Sequence, residues 1–323
     1  MAIPNALAGR LSLPVIGSPM FIVSTPALVL AQCKAGIVGA FPALNARPES
    51  QLDEWLDQIT RELADHARSH PGARIAPFAV NQIVHASNTR LEHDVRMCVK
   101  YKVPIVITSL RPPAEVVAAV HGYGGLVFHD VINQRHARKA AEQGVDGLIA
   151  VCTGAGGHAG LLSPFALLKE IRSFFDGTLI LSGAMSSGAD VLAAQAMGAD
   201  LAYLGTRLIA SPEAMASDAY KTMLVNSGLK DLIYTPNLNG VAANWLRPSM
   251  VAVGLDPDHL PPRPEGRRGY DHLPDGVVPW GNLWSAGQGV EAIDDVPSVA
   301  ELVERLEREY HAACAVPAFA GRR

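Results

Sequence analysis

Cysteine is scarce in this chain and badly placed for cross-linking: Cys33, Cys98, Cys152 and Cys314 stand far apart, with no CxxC pair. That excludes a disulfide framework and argues against a structural zinc site, and it fits a reducing, cytoplasmic setting. Charge is sparse too, at 18% of residues with a formal net charge of -4 and a pI near 6.3. Without a basic field, nucleic acid and anionic membrane surfaces are poor partners. No apolar run approaches the length of a bilayer span, and the opening MAIPNALAGRLSLP has an early proline where a signal peptide needs a continuous apolar segment. His66 and His70 stand at i, i+4 spacing but fall at a frayed helix end, so no metal is expected.

What is present is apolar residue in quantity, 49% of 323 residues, enough for one large core or two medium ones. It comes in short, wholly apolar runs at 13–16, 37–40, 75–80, 105–108, 126–128, 147–151, 179–182 and 201–204, separated by amphipathic stretches with helix start and stop signals. Runs apolar throughout are the mark of parallel strands buried on both faces. Eight such βα units in about 200 residues predict an α/β fold, a TIM (β/α)8 barrel. An open doubly wound sheet is the alternative, since alternation does not show closure, but no GxGxxG follows the first strand.

Residues 1–209 and 295–323 are therefore predicted to form the barrel. Its last helix begins at the capping box of Ser298 and Glu301 and carries the stripe Leu302, Leu306 and Tyr310. Residues 210–294 are predicted to be an inserted, mostly helical subdomain between strand 8 and that helix. It includes a Pro/Gly-rich arm, 254–283, with Arg263, Arg267, Arg268 and Tyr270, which covers a nucleotide, contacts another subunit or is simply a solvated loop.

Two small-residue turns follow strands 7 and 8, at 183–188 and at Gly205 and Thr206. Side by side, such turns let backbone N–H groups reach an anion, and this is where (β/α)8 barrels hold phosphate. A phosphorylated cofactor is expected there, against the plainer reading of glycines as turn punctuation. Position just past a strand also selects Met20, Asn81, Ser109, His129, Asp130, His158 and Ser182 as candidates for chemistry. His158 stands out because GAGGHAG lets backbone and imidazole approach a flat ligand. Asn81 can donate to and accept from a heterocycle edge, or bond its own backbone as a turn residue; His129 and Asp130 read first as a solvated pair at a strand end and only second as site residues.

These motifs resemble those of the nitronate monooxygenase family, formerly the 2-nitropropane dioxygenases, which are FMN-dependent TIM barrels. The resemblance runs through PVIGSPM, KAGIVGAF, FAVN, GAGGHAG, LSGAMSSG, AMGADLAYLGTR and LWSAGQGV. It implies that the backbone at Met20, the side chain of Asn81 and Gly156 flank the isoalloxazine ring, with Asp130 near the flavin, that Ser182, Gly183, Ala184, Gly205 and Thr206 hold the ribityl chain and phosphate, that Gln288 lies close by, and that His158 is the catalytic histidine. It further implies oxidation of alkyl nitronates or nitroalkanes with O2 to carbonyl compounds and nitrite, with His158 as base or anion stabiliser. The related readings are an NAD(P)H-dependent FMN reductase of the enoyl-acyl-carrier-protein reductase II or NADH:quinone reductase type, and a barrel that binds FMN or phosphate without catalysis. The pattern leaves room for a homo-oligomer. Two positions depart from the family: Gly17 replaces a glutamine, and Asp130 stands where some members place a lysine.

Overall fold

The computed structural model describes residues 3–111, 113–263 and 272–315. Eight parallel strands close into a barrel: β1 (Val15–Gly17), β2 (Gly39–Pro42), β3 (Phe78–Val84), β4 (Ile105–Leu110), β5 (Leu126–Val131), β6 (Gly147–Val151), β8 (Thr178–Ser182) and β9 (Leu201–Leu204). β7 (Gly157–His158) lies outside this ring. Closure is explicit at β1, which pairs with β9 in the register Val15↔Ala202 and with β2 through Ile16↔Val38. The open doubly wound sheet is thereby excluded.

Between the strands run α1 (Pro26–Lys34), α2 (Gln51–Ser69), α3 (Leu91–Lys100), α4 (Ala114–His121), α5 (Gln134–Ala141), α6 (Pro164–Arg172) and α7 (Gly188–Ala196). Their starts follow local chemistry. Pro26 and Pro164 sit in first turns, where the missing N–H costs nothing. Ser187 and Asp190 form a capping box on α7, as Ser298 and Glu301 do on α11 (Val299–Cys314). α11 docks on α7, with Glu309 accepting from Gly188 N at 2.8 Å and Tyr310 donating to Gln195 at 2.6 Å.

The side-chain period of two divides each strand. Ile16, Val38, Ala79, Ile107, Phe128, Ile149, Ile180 and Tyr203 fill the barrel interior, while Val15, Val80, Val106, Val127, Leu148, Leu179 and Ala202 pack outward beneath the helices. Each fully buried aliphatic side chain contributes about 1.5–3 kcal/mol. The same parity continues past the apolar runs. Asn81, Ser109, Asp130 and Ser182 lie two residues beyond Ala79, Ile107, Phe128 and Ile180, so they extend the interior rows at the carboxyl ends of their strands.

This corrects the expected strand ends. Asn81, Ser109, His129 and Asp130 belong to β3, β4 and β5 rather than following them, because a polar residue on an inward row does not stop the ladder.

Between β9 and α11 come α8 (Thr206–Ile209), α9 (Asp218–Val225) and α10 (Arg247–Ala252), and also a hairpin that the apolar pattern had not signalled. β10 (Leu232–Thr235) pairs antiparallel with β11 (Ala243–Leu246), and β11 takes β7 as its other neighbour. Leu238, Ala243, Trp245, Met250, Leu255, Leu273, Val277 and Leu283 make a second small core here. Of the residues singled out on the sequence, Arg267, Arg268 and Tyr270 in the arm lie outside the described residues. No helix among the described residues is long and apolar enough to cross a membrane.

Candidate active site

The two turns expected to act together do stand together. The Gly154 carbonyl accepts from Ala184 N at 3.2 Å and from Gln288 N at 2.8 Å, and Thr206 Oγ1 accepts from Gly287 N at 2.8 Å. A Cβ on Gly156 would come within 2.8 Å of Gly287 N and 3.0 Å of Thr206 Oγ1; one on Gly183 would sit 2.8 Å from the Thr153 carbonyl. The loops after β6, β8 and β9 and the segment 286–289 thus form one floor, from which Gly156, Ala184 and Gln288 are exposed. Ala184 holds φ 57°, a left-handed backbone costing a non-glycine residue about 1–2 kcal/mol. Ser182 is buried at its edge.

At α7 the helix start is largely engaged within the protein: Gly188 N donates to Glu309, Asp190 N to Ser187 Oγ, and Ser186 N and Ser187 N just before it both donate to Asp190 Oδ2. At α8 the first N–H groups have no carbonyl one turn earlier in the helix. Arg207, buried, is tied to Asp295 by bonds to its carbonyl at 3.2 Å and to Oδ1 at 2.5 Å, which braces this corner against the segment leading into α11.

The loop after β1 reaches the same floor: Met20 Sδ and Ser18 Oγ each lie 3.7 Å from where a Gly205 Cβ would be. The backbone contact expected at Met20 is corrected: Met20 N donates to Ser24 Oγ and its carbonyl accepts from Asn45 Nδ2, so what Met20 can offer a ligand is packing. Asn45 also bonds Ile22 N and the Ser24 carbonyl, fixing the whole loop. The departure at Gly17 has a local cause. A Cβ there would lie 2.5 Å from Gln32 Nε2, because the buried Gln32 amide of α1 fills that space.

On the interior row a short polar chain crosses the strands. Asn81 Nδ2 donates to Ser109 Oγ at 2.9 Å and to the Ile107 carbonyl at 3.3 Å; Ser109 Oγ donates to Asp130 Oδ2 at 2.5 Å. Asn81 is therefore not a turn residue bonded to its own backbone. Asp130 Oδ1 is buried without a partner among the described residues, and burial raises this carboxyl to about 6 against the opposing bond from Ser109. Across the barrel Tyr203 is held well above its ordinary value by burial and then by the Asp130 charge, with a hydrogen bond to Ser18 working the other way.

His129 points to the opposite face of β5. Buried there, it pairs Nδ1 with Thr108 Oγ1 at 2.8 Å, and desolvation lowers it to about 4. The pair read together on the sequence is thus split by parity, one residue facing the barrel interior and the other the helix layer.

His158 is held by the insert. As part of β7 it pairs with Ala243 of β11, and its Nε2 lies 2.8 Å from Asn239 Nδ2. The ring meets Trp280 edge-on at 5.2 Å, and Trp280 packs on Trp245 at 5.0 Å. Asn244 Nδ2 donates to the Ala155 carbonyl at 2.7 Å and Tyr234 to that of Ala159 at 2.9 Å, so the glycine-rich loop is clamped at each end. Part of the ring is open at the rim, yet its neighbours desolvate it enough to lower its pKa. Two residues of chain span at most about 7 Å, so His158 stands at the edge of the floor that Gly156 helps to form. Asn45, Asn239, Asn244 and Trp280 were not among the sequence candidates.

Two surface hollows, of about 390 Å³ along 295–308 and about 360 Å³ between Gly9 and Ile75, lie apart from the floor; of the residues that build or brace it only Asp295 lines either. His66 and His70 stack at 4.1 Å at the exposed end of α2.

Residues 7–309 match the family model for nitronate monooxygenase. The chain belongs to the nitronate monooxygenase family. It is accordingly an oxidoreductase, 26% identical to the nitronate monooxygenase of Paraburkholderia phytofirmans across 92% of each chain. It is also 26% identical to a (3aS,4S,5R,7aS)-5-hydroxy-7a-methyl-1-oxo-octahydro-1H-indene-4-carboxyl-CoA dehydrogenase of Rhodococcus jostii, over 74% of this chain and 64% of that one. Its fold is like that of the nitroalkane oxidase of Streptomyces ansochromogenes, with TM-score 0.77 and 22% identity over 96% of this chain and 99% of the other. FabK of Thermotoga maritima gives 0.75 and 22% over 96% of both.

Proposed function

We propose that this chain is an FMN-dependent nitronate monooxygenase, converting alkyl nitronates and O2 to carbonyl compounds and nitrite. The observation that carries this is the joining of the loops after β6, β8 and β9 into one floor, with His158 at its edge and a polar row inside the barrel mouth. The residues fit the group: glycine at 156 and 183 lets the loops pack into one floor where a Cβ would strike Gly287 N or the Thr153 carbonyl, Ala184 stands exposed on that floor in a left-handed turn, and Asp130 keeps one buried oxygen without a partner among the described residues.

In this reading Ser182, Gly183, Ala184, Gly205 and Thr206 hold the ribityl chain and phosphate, with Gln288 beside them. Met20, Asn81, Asp130 and Gly156 border the ring. When bound, FMN supplies the two-electron acceptance and the reaction with O2 that no side chain can provide. His158, neutral by desolvation, binds the anionic oxygens of a nitronate at the rim. Residues 210–294 act as a cap on the barrel formed by 1–209 and 295–323, and their aromatic residues exclude water from one side of the imidazole.

The 26% identity to a carboxyl-CoA dehydrogenase favours a second reading, a flavin oxidoreductase that does not act on nitronates, of which the NAD(P)H-dependent FMN reductase is one form. Anaerobic mixing separates the two. Bleaching of the flavin absorbance by alkyl nitronates, with none by NADH or NADPH, supports the monooxygenase; rapid bleaching by a pyridine nucleotide alone supports the reductase. A purified chain that neither carries flavin nor takes it up sinks both.

A further inference from the structure

We propose that Asn239 is a positioning residue that fixes His158 as the tautomer protonated on Nδ1, so that the imidazole meets its substrate as a hydrogen-bond donor and not as a base. This rests on the reading of His158 as the residue that meets substrate. The Asn239 side chain spans two partners: Val241 N donates to its Oδ1 at 3.1 Å, and its Nδ2 lies 2.8 Å from His158 Nε2. A backbone N–H can only donate, so the amide oxygen belongs on the Val241 side. An amide nitrogen can only donate in its turn. Nε2 must then present its lone pair, and a neutral imidazole in that state carries its hydrogen on Nδ1.

Turning the amide over would face its NH2 at the Val241 N–H and lose one hydrogen bond while creating a donor–donor contact. The ring is held from other sides by the β7–β11 pairing and by the edge of Trp280. Among the described residues no charged partner favours an imidazolium. The ionisable side chains of the described residues that pack on this hairpin are Tyr234, bonded to the Ala159 carbonyl; His272, bonded to the Asn237 carbonyl; and Arg263, packed over Gly240. Desolvation is the cause that lowers His158.

The chemical consequence follows from the inventory of lone pairs. The one basic nitrogen of this tautomer is already engaged by Asn239, so the ring cannot take the α-proton of a neutral nitroalkane without breaking that bond. A nitronate has lost that proton before binding and needs a donor to its oxygens, which Nδ1–H supplies. The substrate class is narrowed to the preformed anion.

The direct test is ¹⁵N NMR of the holoenzyme labelled at histidine, with the His158 resonances identified by their loss in His158→Asn. The wild type should show a protonated Nδ1 and a bare Nε2 at neutral pH. Asn239→Asp, whose carboxylate accepts, should move the proton to Nε2, raise the pKa of His158 and lower kcat on nitronates by roughly tenfold or more, with an added limb in the pH profile. A merely structural role leaves the tautomer where it was. A wild-type ring protonated on Nε2, or a tautomer unmoved in Asn239→Asp, overturns the inference. An Nδ1–H ring in a protein that ignores nitronates overturns the functional reading instead.

Discussion

The two sides of the barrel mouth are built from different materials. At the ends of β8 and β9 the surface is backbone: Gly183, a left-handed Ala184, Gly205 and the first residues of α8, with the side chain of Thr206 already holding Gly287 N. At the end of β6 the surface is side chain: an imidazole fixed by an asparagine amide and a tryptophan edge, both from a segment some 80 residues or more further on. Backbone recognition suits an anion that is the same in every turnover, because N–H groups on a rigid turn need no reorganisation. Side chains carried by an insert suit the part of the site that must select a substrate.

The largest effect is expected where the backbone floor is tightest. Gly156→Val places a branched side chain against Gly287 N and Thr206 Oγ1, and FMN affinity should fall a hundredfold or more, about 3 kcal/mol. Flavin absorbance of the purified variant, with circular dichroism as the folding control, reads this out. Full flavin content would break the contrast, because the floor would then be a surface that no ligand uses. On the other side of the mouth, His158→Asn should leave the flavin in place and lower kcat on nitronates by about 10²–10³, the cost of one donor to a developing or bound anion. Loss of flavin in that variant would mean that the two sides are not separable.

How much of this was legible in the sequence follows the same division. The eight alternating βα units, the small-residue loops at 154–158, 183–184 and 205–206, and the Ser298 capping box can all be read from short-range signals: wholly apolar strands, small-residue turns and i, i+3 caps; closure rests on the long-range pairing of β1 with β9. The interior row was half legible. A run-length criterion stops at the first polar residue, whereas counting by twos from Ala79, Ile107 and Phe128 carries Asn81, Ser109 and Asp130 inward and turns His129 outward. The histidine clamp was not read, because Asn239 and Gly240, with Gly240 at φ 86°, sit inside a long connection from Thr235 to Ala243 rather than forming a two-residue turn, and the flanking strands LIYT and ANWL are not wholly apolar. That β11 would then adopt the His158 loop as a neighbouring strand is a long-range pairing that no local pattern encodes.

The parity on β5 gives a prediction of intermediate size. Asp130, raised to about 6 from an ordinary 3.8, contributes stability that is complete below 3.8 and lost as pH rises through 6, about 3 kcal/mol. His129, lowered from 6.5 to about 4, does the reverse: its contribution is complete above 6.5 and lost as pH falls through 4, again about 3 kcal/mol. In the wild type these opposite faces of one strand nearly cancel between pH 6.5 and 4. Asp130→Asn should unmask His129, so that melting temperature drops steadily across that window while rising above the wild type at pH 8. Parallel curves for the two proteins would refute the assignment of opposite environments. The smallest effect belongs outside the mouth: Ser298→Ala removes a cap on α11 and should cost about 1 kcal/mol in chemical denaturation, with turnover unchanged.

The measurement that bears most directly on the phosphate corner is a titration of the flavin-free protein with FMN and, separately, with riboflavin, followed by quenching of flavin fluorescence. A floor built to grip a phosphate predicts stoichiometric, tight binding of FMN and binding of riboflavin weaker by a hundredfold or more. Equal affinity for the two, or uptake of neither, would contradict it.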